Sequence, residues 1–311
     1  MKAFVVSSLD EPAAVTEVPD PIVRAGEILV RVAAASLNPY DAFVASGAAQ
    51  AYMTYDFPVV IGGDHAGTVE ALGDGVDGFG VGDRVFGMMG MKGSVHDGTF
   101  GELAVPQAAA VARTPDGVSD MDASTLGVAG TTAVEAVDAV GPAEGQRVLI
   151  VGATGGIGSF AIQLCRLRGA HVIATVRPGD EAFVTDRGAS ETVDYTGDTV
   201  ATIRERYPDG VDAVIDGVSA DGDAFRKVVG IVRTGGRATS TRGAAQSEEI
   251  DGVSVANANG NPARLAELAD LVAGGKLRVA ITRTYPLAEA AQALRDLQEQ
   301  HTLGKLVIAV A

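Results

Sequence analysis

The chain reads as α/β: a β-rich domain joined to a doubly wound parallel-sheet domain. Three observations predict this. The first 110 residues are short strands between frequent turn signals, with glycines every few residues in GDGVDGFGVGDRVFGM (73–88). From about residue 120, strand and helix patterns alternate as in βαβ units. A glycine turn, Gly152-Ala153-Thr154-Gly155-Gly156-Ile157-Gly158, joins a buried strand to a helix in the middle of the chain.

The elements follow in order. The apolar run AFVV (3–6) is too short for a signal peptide and reads as a first strand. EILVRVAAAS (27–36) and HAGTVEAL (65–72) are further strands, and PYDAFVASG (39–47) is a short helix. SDMDASTLGVAGTTAVEAVDAVG (119–141) reads as one helix stopped by Gly141-Pro142. Then come the strands RVLIVG (147–152), HVIATV (171–176), TVDY (192–195), VDAVIDGV (211–218) and GGRATST (235–241), each separated from the next by a helix pattern. A helix at 262–275, a strand within 277–286, an amphipathic helix at 287–300 and a strand at 304–310 form a tail that returns to the first domain. The predicted domains are therefore 1–120, completed by 277–311, and 121–276.

Composition narrows the function. At 311 residues and 47% hydrophobic, the chain has enough apolar material for two packed cores. No apolar run is long and charge-free enough to span a bilayer. The single cysteine, Cys165, excludes an internal disulfide and a multi-cysteine zinc site, and a reducing cytoplasm fits it best. A net charge of −16 makes nucleic acid and anionic membranes poor partners.

The glycine turn carries the chemistry. Glycine permits positive φ and close backbone approach, and N–H groups at a helix start attract phosphate. Strand, turn, helix and next strand together make the context of a dinucleotide site, with Gly152, Ala153, Thr154, Gly155, Gly156 and Ile157 around the pyrophosphate. Ala153 stands where the first glycine of G-x-G-x-x-G belongs. An NAD site places a carboxylate at the tip of the second strand. Here that strand ends Thr175-Val176-Arg177, so Arg177 is placed to clamp a 2′-phosphate, with Thr175 as a hydroxyl donor. The expected cofactor is NADPH. A short-chain reductase would need Tyr-x-x-x-Lys, and no tyrosine here has Lys four residues on. A P-loop would need Gly-Lys-Ser/Thr, but Gly158 is followed by Ser159 and Phe160.

Seven segments in this order resemble the medium-chain dehydrogenase/reductase superfamily, in its zinc-independent quinone oxidoreductase branch. They are Asn38-Pro39-Tyr40-Asp41, Gly62-Gly63-Asp64-His65-Ala66-Gly67-Thr68-Val69-Glu70, Gly82-Asp83-Arg84-Val85-Phe86-Gly87, Gly98-Thr99-Phe100-Gly101-Glu102, Ala129-Gly130-Thr131-Thr132-Ala133, the glycine turn, and Gly304-Lys305-Leu306-Val307. The resemblance covers essentially the whole chain. It implies a GroES-like catalytic domain split around a Rossmann cofactor domain, which accounts for the mid-chain position of the turn. It also implies a homodimer, for which GGRATST and VSVAN (253–257) are the candidate sheet-extending strands.

Zinc members use an early Cys and a Gly-His-Glu motif. The matching segments here are 38–41, without Cys, and Gly62-Gly63-Asp64, with Gly in place of His. No metal is expected, and His65 reads as packing or pocket lining. The resemblance implies a hydride acceptor that stabilises its own charge, a quinone or an α,β-unsaturated carbonyl. It places Asn38 in the catalytic site beside the nicotinamide ribose and Thr132 near the phosphates or nicotinamide. It sets Tyr195 near the 2′-phosphate, and the backbone of Thr239, Ser240 and Thr241 along the cofactor. Tyr52 is the nearest candidate proton donor; Tyr55 competes, and solvent is a third source. Asp41 and Asp64 read as turn and backbone caps. Two alternatives stand beside the reductase: an enoyl-thioester reductase and a non-catalytic NADPH-binding sensor.

Overall fold

The computed structural model describes residues 1–90 and 94–310. They form two compact units: Met1–Val128 with Pro262–Ala311, and Ala129–Asn261. The expected α/β class is the one observed, with a GroES-like first unit and a Rossmann-like second.

In the first unit the strand Ile28–Ser36 pairs antiparallel with Asp64–Leu72, which pairs in turn with Arg84–Met88. Ile28, Val30 and Val32 point inward while Arg31 is exposed, the alternation of a half-buried strand. The other side of Ile28–Ser36 is shared: Leu103–Ala104 pairs antiparallel with Val30 and Arg31, and the Ala34–Ser36 end is filled from the far end of the chain. Lys305–Ala309 pairs antiparallel with it, placing Val307 opposite Ser36, and Ile281–Pro286 runs parallel outside. The tail thus pairs with the first unit's central strand. Helix Ala290–Glu299 is pinned to this outer strand through Asp296, which accepts from Tyr285 Oη and Arg283 Nη1, both at 2.6 Å. Phe4, Leu37, Phe100, Leu306 and Ile308 share one apolar core, so both chain segments are packed into it.

The second unit is a seven-stranded sheet. Its order is Glu191–Asp194, His171–Val176, Arg147–Val151, Val211–Asp216, Val232–Ser240, Val253–Asn257, Glu249–Ile250. The first six strands are parallel and the last is antiparallel. The central strands are apolar without alternation because both faces are covered. Val232–Ser240, which contains most of GGRATST, has a neighbour on each side and is no edge; VSVAN forms the edge hairpin with Glu249–Ile250, which lies outermost.

Two stretches differ from the pattern read in sequence. Residues 119–141 are not one helix: Asp120–Ser124 is followed by a π-helical turn, Leu126–Gly130, and then by Thr131–Val140. The break coincides with Val128, whose N–H donates to Asp64 Oδ1 at 2.8 Å. Residues 121–128 and 262–276 sit with the first unit. Asp120–Ser124 packs on Ile28–Ser36 and Asp64–Leu72, and Leu265–Ala273 packs on Val111–Arg113.

Candidate functional site

The first unit holds a buried polar centre. Helix Pro39–Ala45 starts at Asn38, with proline fixing its first turn. Asp41, at the third helical position, accepts the Asn38 N–H at 2.7 Å, as the acid of a capping box does. Asp41 is thus a backbone cap, as its sequence position suggests. Asp64 is not a turn residue. It lies on the strand Asp64–Leu72 with no exposed surface. Its Oδ2 accepts from Ser36 Oγ at 2.9 Å and from Asn38 Nδ2 at 2.8 Å. The Lys305 ammonium, itself buried, donates to the Leu37 carbonyl at 2.6 Å and to Asn38 Oδ1 at 2.7 Å, and stands 3.9 Å from Asp64 Oδ2. A buried lysine and carboxylate persist as charges only when paired and hydrogen-bonded in this manner.

The electrostatics follow from burial. Burial pushes the Asp41 carboxyl up to about 7, opposed by the hydrogen bond from the Asn38 N–H and by the Lys305 charge. Burial also raises Asp64, while Lys305 and the Asn38 amide act to lower it. Lys305 is lowered by burial against the pull of Asp64 and Asp41. His65, next in the strand, is buried with no partner for either ring nitrogen, and burial drives it down to about 4.

Both candidate tyrosines are placed. Tyr52 is 81% exposed, its ring 6.3 Å from that of Phe43, and it lines an open groove with Gln50, Met53, Thr54 and Tyr55. Tyr55 is buried and spends its hydroxyl on the Val44 carbonyl at 2.7 Å, so it is occupied as a hydrogen-bond donor.

In the second unit the glycine turn leaves Arg147–Val151 and enters helix Gly156–Leu167. Gly152 has φ +81°, a region side chains disfavour. A Cβ at Gly158 would lie 2.3 Å from the Gly152 carbonyl oxygen and 2.6 Å from Ala153 Cα, so only glycine lets helix and strand approach this closely. Ala153 and Thr154 are buried, whereas Gly155, Gly156 and Ile157 are half-buried at the helix start. This cradle fits a pyrophosphate.

Arg177 and Tyr195 are both exposed, and the Tyr195 N–H donates to the Val176 carbonyl at 3.0 Å, so they stand together at adjacent strand tips. Thr175, read from the sequence as a hydroxyl donor to the phosphate, also has a structural part. It lies inside the sheet, where its Oγ1 accepts the Gly152 N–H at 3.0 Å and holds the turn. Thr132 is buried at the start of Thr131–Val140. Thr239 and Ser240 are also buried. Ser240 Oγ accepts from the N–H groups of Arg242 and Ala244, both at 3.1 Å, so it shapes the loop that follows. Thr241 is half-buried. Sequence reading missed Lys305 as a site residue: it was visible only within the closing Gly304-Lys305-Leu306-Val307 segment.

Comparison with known proteins agrees with this geometry. Residues 24–116 match the alcohol dehydrogenase GroES-like domain, and residues 187–308 match the zinc-binding dehydrogenase family. The chain is 28% identical over 308 residues to a chloroplast envelope quinone oxidoreductase homolog of Arabidopsis thaliana, covering 94% of this chain and 92% of that one. It is 33% identical over 310 residues to a phenolphthiocerol/phthiocerol polyketide synthase protein of Mycobacterium tuberculosis, covering 91% of this chain but 14% of that protein. The solved quinone oxidoreductase of Coxiella burnetii superposes with a TM-score of 0.89 at 29% identity, over 100% of this chain and 99% of that one.

Zinc, which one family description implies, does not fit the residues present. Among the described residues no group of three or more His, Cys, Asp or Glu could hold a metal ion. His65 is isolated, His96 Nδ1 is bonded to the Asp56 carbonyl and His171 to Glu191. The Asp64 carboxylate is engaged by Ser36, Asn38 and Val128 and faces an ammonium. With its GroES-like and Rossmann-like units and these relatives, the chain belongs to the medium-chain dehydrogenase/reductase superfamily, in its quinone-oxidoreductase-like branch.

Proposed function

We propose that this oxidoreductase is a metal-free, NADPH-dependent reductase of quinones or α,β-unsaturated carbonyls. The observation that carries the reading is the closed charge set around Asp64. Lys305 supplies its countercharge and three donors fill its oxygens, which leaves no ligand set for a Lewis acid. The acceptor must then stabilise the incoming charge itself, as conjugated carbonyls do.

Bound NADPH supplies the hydride. The chain's residues bind and orient. Gly152, Ala153, Thr154, Gly155, Gly156 and Ile157 form the pyrophosphate cradle. Arg177, with Tyr195 beside it, supplies positive charge for a 2′-phosphate. The backbone of 239–241 and Thr132 flank the cofactor. Asn38 offers an amide hydrogen to a ribose hydroxyl or to the acceptor. Tyr52, exposed in its groove, or water supplies the proton.

The test is NADPH oxidation with EDTA present, against a benzoquinone, a naphthoquinone, a short 2-enone and crotonyl-CoA, with NADH in parallel. Turnover that prefers NADPH and survives EDTA is expected. Turnover lost to EDTA and restored by zinc would overturn the reading. The polyketide synthase relative favours a second reading, an enoyl-thioester reductase, and a clear preference for crotonyl-CoA would select it. The third, a sensor, would bind NADPH without consuming it.

No helix among the described residues is long and apolar enough to cross a membrane. The proposed reading assigns the enzyme to the cytoplasm, where its single cysteine stays reduced. The partner it proposes is a second copy of the chain, met at the Glu249–Ile250 sheet edge. Light scattering in solution tests the homodimer.

A further inference from the structure

Asn38 is held on both sides of its amide by charged groups distant in sequence. Its Oδ1 accepts from Lys305 Nζ at 2.7 Å, and its Nδ2 donates to Asp64 Oδ2 at 2.8 Å. Each of these charged groups is tied elsewhere, Lys305 to the Leu37 carbonyl and Asp64 to Ser36 Oγ and the Val128 N–H. Asn38, Asp64 and Lys305 are 4%, 0% and 4% exposed. Turning the amide over would set NH2 against ammonium and carbonyl oxygen against carboxylate. Both contacts are repulsive, and little solvent is present to screen them. One Nδ2 hydrogen is committed to Asp64. The second has no protein acceptor among the described residues.

We propose that Lys305 and Asp64 are positioning residues that lock the Asn38 amide in one orientation, so that its remaining N–H always faces a bound oxygen as a donor. The ammonium also supplies the local positive charge that keeps Asp64 an acceptor. Lys305 is thus part of the working site, not merely an anchor for the strand that carries it. The kinetic arm of the test rests on the reductase reading; the spectroscopic arm does not.

The experiment uses the full chain with 15N-labelled asparagine, and the Asn38 side-chain signals are identified by their loss in Asn38→Ala. In the wild type one fixed pair of amide signals is expected. In Lys305→Met and Lys305→Gln the pair should shift and broaden through exchange, while the remaining asparagine signals stay in place. With the best acceptor, kcat should fall by roughly 10–100-fold with KM changed far less, and Lys305→Arg should recover part of the loss. Folded variants with unchanged Asn38 signals and unchanged kcat would overturn the proposal. So would failure of both neutral variants to fold, which would assign Lys305 to holding the sheet. If wild type turns over no acceptor, the reductase reading fails while the amide signals still decide the positioning role.

Discussion

The glycine turn of residues 152–158 presents main-chain groups and excludes side-chain atoms, whereas the centre around Asp64 presents side-chain charge and excludes water. The turn is local: a strand, seven residues and a helix start. The centre is assembled from Ser36, Asn38, Asp64, Val128 and Lys305. One works by the space it leaves open, the other by how completely it is filled. Substitutions that add atoms should therefore damage the first, and substitutions that change charge or donor count should damage the second.

The sharpest test of this contrast is Gly158→Ala against Gly155→Ala. At Gly158 the new Cβ meets fixed backbone at 2.3 Å, while at Gly155 the nearest atom is 3.5 Å away. Gly158→Ala is expected to cost about 3 kcal/mol in urea unfolding and to abolish NADPH binding, with Gly155→Ala within about 1 kcal/mol of wild type. Equal costs would break the account of the turn.

Next comes Gly127→Ala, where the Cβ would lie 2.2 Å from Asp64 Oδ1. Displacing that carboxylate frees the Val128 N–H, and a loss of about 2 kcal/mol is expected, read by urea unfolding. A neutral result would show that the centre yields where it is described as filled.

A smaller effect, confined to binding, is expected at the strand tip. Arg177→Ala should weaken NADPH binding about 10-fold or more and leave NADH binding and stability unchanged, because Arg177 is exposed. Titration of both cofactors by fluorescence quenching measures it, and an equal loss for NADH would remove the 2′-phosphate role.

The smallest net effect is expected from pH. Asp41, raised to about 7, contributes stability at low pH that is lost as pH rises from about 4 towards 7. His65, lowered to about 4, contributes stability above pH 6.5 that is lost as pH falls towards 4. The two slopes oppose, and Asp64, raised as well, adds to the fall with rising pH. Relative to wild type, Asp41→Asn should tilt the urea midpoint towards rising with pH, and His65→Leu should tilt it towards falling, between about pH 4.5 and 6.5. Parallel profiles for the two variants would refute the assignment.

The same contrast explains what the sequence made legible. The turn, its strand and its helix could be read because their signals are adjacent, and the split first domain could be read from the tail's pattern. Lys305 could not be assigned to the site, because its partner Asn38 lies 267 residues away and nothing local marks it. Asp41 was legible as a cap because its partner is three residues away; Asp64, paired over 26 residues, was not. The second role of Thr175 was hidden, because position in a strand does not reveal that its hydroxyl also accepts the Gly152 N–H. The helix break at Leu126–Gly130 depends on a carboxylate 64 residues back.

The strand Lys305–Ala309, seated between Ile28–Ser36 and Ile281–Pro286, sets an order of events during synthesis. Ala129–Asn261 is one contiguous stretch that emerges from the ribosome whole and can fold while translation continues. The earlier segment must wait with the Ala34–Ser36 end of its central strand unpaired on one side and the Asp64 carboxylate without its ammonium. At roughly 5–20 residues per second, the interval between Val128 and Lys305 is on the order of ten seconds or more. During that time the nascent first unit is the part of the molecule most in need of chaperone cover.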